Sequence, residues 1–94
     1  MDFRDFEFSK QELERLQQML PPSILQELGD YGEVVLENLK YLRDYGFQNY
    51  KELFLSYPEY FLSDTVTFQN RIGKYKKDAL IDLLLRKPSL FEDL

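Results

Sequence analysis

The chain has 94 residues, a formal net charge of −5, and neither cysteine nor histidine. That length supports one domain with a modest core. Disulfides and thiol redox chemistry are excluded, and the commonest general base and zinc ligand is missing.

The first eight residues place Phe3, Phe6 and Phe8 among charges and read as an extended arm. Acidic at its start, the chain is unlike a secretory signal or an organelle transit peptide, and the cytoplasm is the expected location. Ser9 and Glu12 form a capping box, and Leu13, Leu16 and Leu20 carry the first helical stripe. Pro21 and Pro22 stop it. Pro22 to Leu28 reads as a short second helix ended by Gly29. Asp30 with Glu33 is a further start signal, for a longer helix whose buried face is Val35, Leu36, Leu39 and Leu42. Gly46 is placed to end that helix in a left-handed conformation. Asn49 and Glu52 open the next one, which buries Tyr50, Leu53 and Phe54. Pro58 begins a helical turn through Leu62. Ser63 or Asp64 caps a helix through Val66, Phe68, Ile72 and Tyr75. A final strong helix runs from about Lys77 to Arg86, stopped by Pro88, and Leu90, Phe91 and Leu94 remain for a closing turn.

No stretch beyond the first eight residues alternates as a strand would. The expected fold is therefore all-α: a compact bundle of five to six short helices forming a single domain over 1–94, stabilised by packing more than by intrinsic propensity.

Two segments match one another at a spacing of 30 residues. Leu42 pairs with Ile72, Tyr45 with Tyr75, Tyr50 with Leu80, Leu53 with Leu83, Phe54 with Leu84, Pro58 with Pro88 and Phe61 with Phe91. Repeated apolar positions and prolines point to two stacked helical-hairpin units. Two unrelated helices, each stopped by a proline, would give the same pattern, and both readings stay open.

The run Asn38–Phe47, followed by Tyr50–Phe54 and Tyr57–Leu62, resembles one unit of the mitochondrial transcription termination factor family. Asp78–Phe91 is similar to the second half of such a unit. The resemblance covers residues 36–94. It implies helical hairpins with a glycine between the helices and a proline turn after them, and nucleic acid as the ligand. Two departures stand against the activity: Lys76 occupies the place of Gly46 in the second unit, and the chain is acidic where that family offers a basic groove.

Charge is uneven. Residues 1–60 hold twelve acids and six bases, whereas 61–94 hold five acids and six bases. The bases Arg71, Lys74, Lys76, Lys77, Arg86 and Lys87 make a segment able to neutralise phosphates, with Tyr75 inside it to stack on a base. Catalysis is not expected: the serines have no histidine to activate them, and Ser9 and Ser63 suit helix caps. Asp78 and Asp82, four apart, suit a solvated helix face. No metal, cofactor or phosphate-loop motif occurs.

Seven tyrosines exceed what short helices need for a core. Tyr31, Tyr41, Tyr57 and Tyr60 are the candidate contact residues, because Tyr offers area at low entropy cost and a polar tip. The expectation is a small non-catalytic regulatory or inhibitory protein that binds another protein through a basic surface of that partner. The alternative is a nucleic-acid-binding helical-repeat module using 71–87. No membrane role is expected, and homodimerisation is left open.

Overall fold

A computed structural model describes residues 8–94. The described residues fold into six α-helices and two 3-10 turns: α1 (Lys10–Met19), α2 (Pro22–Asp30), α3 (Gly32–Tyr45), α4 (Tyr50–Ser56), the turn Pro58–Leu62, α5 (Thr65–Gly73), α6 (Lys77–Arg86) and the turn Pro88–Asp93. The all-α bundle of short helices is what the apolar periodicity demanded. The arm over residues 1–7 lies outside the described residues; Phe8 is half-buried, its ring 5.8 Å from Phe54.

Local sequence sets most boundaries. Ser9 Oγ accepts from Glu12 N–H at 3.1 Å, and Glu12 Oε1 accepts from Ser9 N–H at 3.0 Å, the reciprocal pairing of a capping box. Of the two candidate caps on α5, Asp64 is the one used: it accepts from Thr67 N–H at 2.9 Å and from Thr67 Oγ1 at 2.6 Å. Gly46 ends α3 at φ +118°, a conformation that L side chains avoid.

Some boundaries differ from expectation. Gly29 does not end α2: the helix continues to Asp30, and α3 starts two residues later with Tyr31 as its N-cap. Asp30 is thus the last residue of one helix and not the cap of the next. Asn49 precedes α4 without capping it; its Nδ2 donates instead to Leu84 O at 3.3 Å. Tyr75 lies beyond the end of α5, and Val66 is 66% exposed because its neighbours Phe68 and Ile72 take the buried face.

Long α3 is the organising element. It packs against α2, α4, α5 and the Pro58–Leu62 turn, and buries Val35, Leu39 and Leu42 completely. Asn38 sits among these apolar residues and is itself fully buried. Its Nδ2 donates to Phe61 O at 3.0 Å and to Ser63 O at 2.8 Å, tying the turn to the helix. Beside it lies an aromatic cluster centred on Phe61, whose ring is 5.1 Å from Phe54, 5.3 Å from Phe68 and 5.6 Å from Phe91.

The two 30-residue segments share backbone geometry after their second helices. Tyr57 (φ −134°, ψ 55°) and Lys87 (φ −134°, ψ 77°) break α4 and α6 alike, each one residue before a proline. Tyr57 N–H donates to Leu53 O at 2.9 Å, and Lys87 N–H to Leu83 O at 2.8 Å. The matched residues Phe61 and Phe91 then meet in the core. The interhelical links are not alike, since Lys76 is extended (φ −64°, ψ 129°) where Gly46 is left-handed.

Candidate interaction surface

The four candidate tyrosines fall into separate places. Tyr57 and Tyr60 come together. Pro58 starts a 3-10 turn, and three residues per turn bring positions three apart onto one edge. Both side chains lean on the core: the Tyr60 ring is 4.6 Å from Phe91 and 5.7 Å from Phe68, and the Tyr57 ring is 6.2 Å from Phe91. Their remaining edges line an open groove of about 520 Å³ with Met19, Leu20, Pro58, Glu59 and Glu92.

Met19 is 56% exposed on this groove. It ends α1 one turn after Leu16, and the following Leu20 is already extended ahead of Pro21 and Pro22, so no later turn of helix covers it. Both acids are exposed, and no Lys or Arg is among the residues lining the groove. The groove thus combines Met, Tyr and Pro with two carboxylates, while the Arg71 guanidinium lies 5.5 Å from the Tyr60 ring centroid.

Tyr31 and Tyr41 lie elsewhere. Tyr31 is 58% exposed at the α2–α3 junction, in a groove of about 470 Å³ with Asp30, Glu33, Val34 and Leu36. Tyr41 is half-buried, 5.6 Å from the Tyr45 ring and 6.3 Å from Phe68. Burial pushes its phenol above the ordinary value, and nearby Tyr45 adds to the shift. Beside it Glu33, Glu37, Lys40 and Asp44 share the outward face of α3 at helical spacing, a mostly acidic stripe.

The basic segment is partly occupied by its own chain. The Arg71 guanidinium lies 5.5 Å from the Tyr60 ring centroid, and Lys77 Nζ 5.3 Å from that of Tyr45. Arg86 pairs with Asp82 one turn earlier on α6, and both are exposed, so the pair adds little stability. Lys74 lies 5.8 Å from the ring of its neighbour Tyr75. Lys76 and Lys87 are exposed at the two ends of α6.

A further groove, of about 560 Å³, mixes two acids and two bases, Glu12, Arg15, Lys51 and Glu52; Lys51 Nζ is 3.7 Å from Glu12 Oε1. Among the described residues no group of three or more acidic side chains could hold a metal ion, and no helix is long and apolar enough to cross a membrane. No protein-family model matches the chain, and no curated protein or solved structure matches it either.

Sequence reasoning missed Met19 and Glu92 as companions of Tyr57 and Tyr60. Met19 carries a local signal, an apolar residue in the last turn before a double proline. Nothing local says that it faces a turn some forty residues onward.

Proposed function

We propose that this chain is a small non-catalytic protein that regulates or inhibits another protein by binding it. The surface used is the groove of Met19, Tyr57 and Tyr60, and the partner inserts a segment that is apolar at its centre and basic at its edges. The observation that carries this reading is the groove's composition: two half-buried tyrosines and an exposed methionine beside Glu59 and Glu92, two acids against the one base, Arg71, that faces Tyr60. Tyrosines already held by the core lose little freedom on binding, which is how aromatic anchors contribute most. Methionine adapts to the shape of what it meets. The net charge of −5 steers a basic partner from a distance and raises the association rate more than the affinity.

Nucleic-acid binding through Arg71, Lys74, Lys76, Lys77, Arg86 and Lys87 is the weaker proposal. Four of the six cations already face a ring or a carboxylate of this chain.

The test is stoichiometric capture with the wild-type chain as bait, beside Met19→Lys. Lysine is chosen because a cation near the end of α1 does not oppose the helix dipole, while it repels a basic partner. The reading expects one basic protein at equimolar ratio, lost with Met19→Lys. An acidic partner, or one retained in full by the variant, refutes it.

A further inference from the structure

We propose that the outer flank of α6 is a second docking surface, for an acidic amphipathic helix of another protein. The inference stands apart from the groove and does not depend on it.

It starts from the two matched segments. Residues 30 apart share apolar spacing, yet at three pairs their burial differs. Val35 and Leu39 are fully buried, whereas their counterparts are half-buried Thr65 and exposed Gln69. Leu53 is fully buried, whereas its counterpart Leu83 is 40% exposed. At two of these positions the second segment carries a polar residue; at the third it keeps a leucine in contact with solvent.

The geometry of α6 sets what surrounds this leucine. The helix buries Leu80 and Leu84 and sets Ile81 against the α3–α4 link, where its Cδ1 would lie only 3.3 Å from a Cβ placed on Gly46. At 100° per residue, Leu83 is about 60° from Leu80, about 100° from Leu84 and about 160° from Ile81, at the rim of the buried face. Lys76, Ala79, Leu83 and Lys87 follow one another at intervals of three and four, so they form one stripe, with Arg86 beside it. Lys76 and Lys87 bracket the stripe about 16 Å apart along the axis. Ala79 leaves room beside Leu83 for an incoming side chain.

Charge and shape decide the occupant. A second copy of α6 laid antiparallel would bring Lys76 and Lys77 of each against Arg86 and Lys87 of the other, an unfavourable match. Nucleic acid would meet Leu83 and Ala79 at the centre of the stripe, where neither pairs with a phosphate. A helix with leucines along one face and glutamates at its edges fits both the apolar centre and the basic ends, in the manner of helix-on-groove recognition.

The test is titration of the full chain with two 18-residue peptides: one with Leu at i, i+3, i+7 and i+10 edged by Glu, and a scramble of identical composition. Backbone amide shifts report the site. A fluorescein-labelled single-stranded 20-mer DNA is a third probe. The proposal expects saturable binding of the patterned peptide with shifts centred on 76–87. It expects Leu83→Ser to weaken that binding about tenfold, and Lys76→Glu with Lys87→Glu to abolish its salt dependence. Leu83 is exposed enough for the serine variant to fold, and an unchanged helical spectrum verifies that. Equal binding of the scramble, an unchanged affinity in Leu83→Ser, shifts outside α6, or tighter binding of the DNA overturns the proposal. Failure here leaves the groove intact, since its residues Met19, Tyr57 and Tyr60 are read separately in the same spectra.

Discussion

Replacing Asn38 by alanine should be among the most costly single changes that leave the aromatic cluster untouched. Asn38 donates two hydrogen bonds, to Phe61 O and Ser63 O, from a fully buried position. Each such bond contributes about 1 kcal/mol net, and a buried carbonyl left without a donor costs about 1–3 kcal/mol more. Asn38 Oδ1 has no partner, so alanine also removes one buried unsatisfied oxygen and recovers part of that loss. The balance is a destabilisation of about 2–4 kcal/mol. For a domain of this length that lowers the melting midpoint by about 10–20 °C. Asn38→Asp should be worse, because a carboxylate oxygen would replace the donor and face two carbonyls. Urea unfolding followed by helical circular dichroism measures both variants, with the slope checked for constancy. A loss below about 1 kcal/mol in both, with two-state behaviour retained, would refute the idea that Asn38 pins the Pro58–Leu62 turn to α3.

Two glycines should respond in opposite directions. Gly46→Ala forces a Cβ onto a backbone at φ +118°, 3.3 Å from Ile81, and should cost about 1–2 kcal/mol in urea unfolding. Gly29→Ala meets nothing within 4 Å and lies inside α2, so it should stabilise by about 0.5–1 kcal/mol by restricting the unfolded chain. Acid should weaken the fold through the two caps. Glu12 is held below the ordinary carboxylate value chiefly by the Ser9 backbone N–H, and Asp64 by the Thr67 hydroxyl and then its N–H. A carboxyl with a lowered folded value contributes stability above its unfolded value and loses it as pH falls through the folded one. The urea midpoint should therefore fall as pH drops through and below the ordinary carboxylate range. Glu12→Gln with Asp64→Asn should flatten that fall; an equally steep fall in the double variant would show that the caps are not its source. At the core, Phe61→Ala should cost about 3–5 kcal/mol, because its ring touches three others in a fully buried cluster. Retention of near-native stability there would mean that the cluster can close around the gap.

The helices were legible because their signals are local. Ser9 with Glu12, Asp64, Gly46 and the residues before Pro58 and Pro88 act within a turn of themselves, and the structure uses each. Gly29 misled because glycine also tolerates a helix interior where no left-handed turn is needed. Asn49 misled because a side chain that can cap a helix can equally donate to a distant carbonyl, here Leu84. Leu83 matches buried Leu53 at the 30-residue spacing, yet it is 40% exposed. Whether an apolar position on a short helix is covered depends on which neighbour reaches it, and that is settled by stacking order. The same reason hides the groove: Tyr57 and Tyr60 are close in sequence, whereas Met19 and Glu92 reach them only through the tertiary fold. Tyr31 and Tyr41 have the same composition signal but sit on other elements.

The central claim, that the Met19–Tyr57–Tyr60 groove receives a basic protein segment, is tested most directly by amide hydrogen exchange on the complex with the captured partner. Slowed exchange on binding should be confined to the end of α1, the Pro58–Leu62 turn and the neighbourhood of Glu92. Protection that spares those segments and falls on the α3 acidic face or on α6 alone would contradict it.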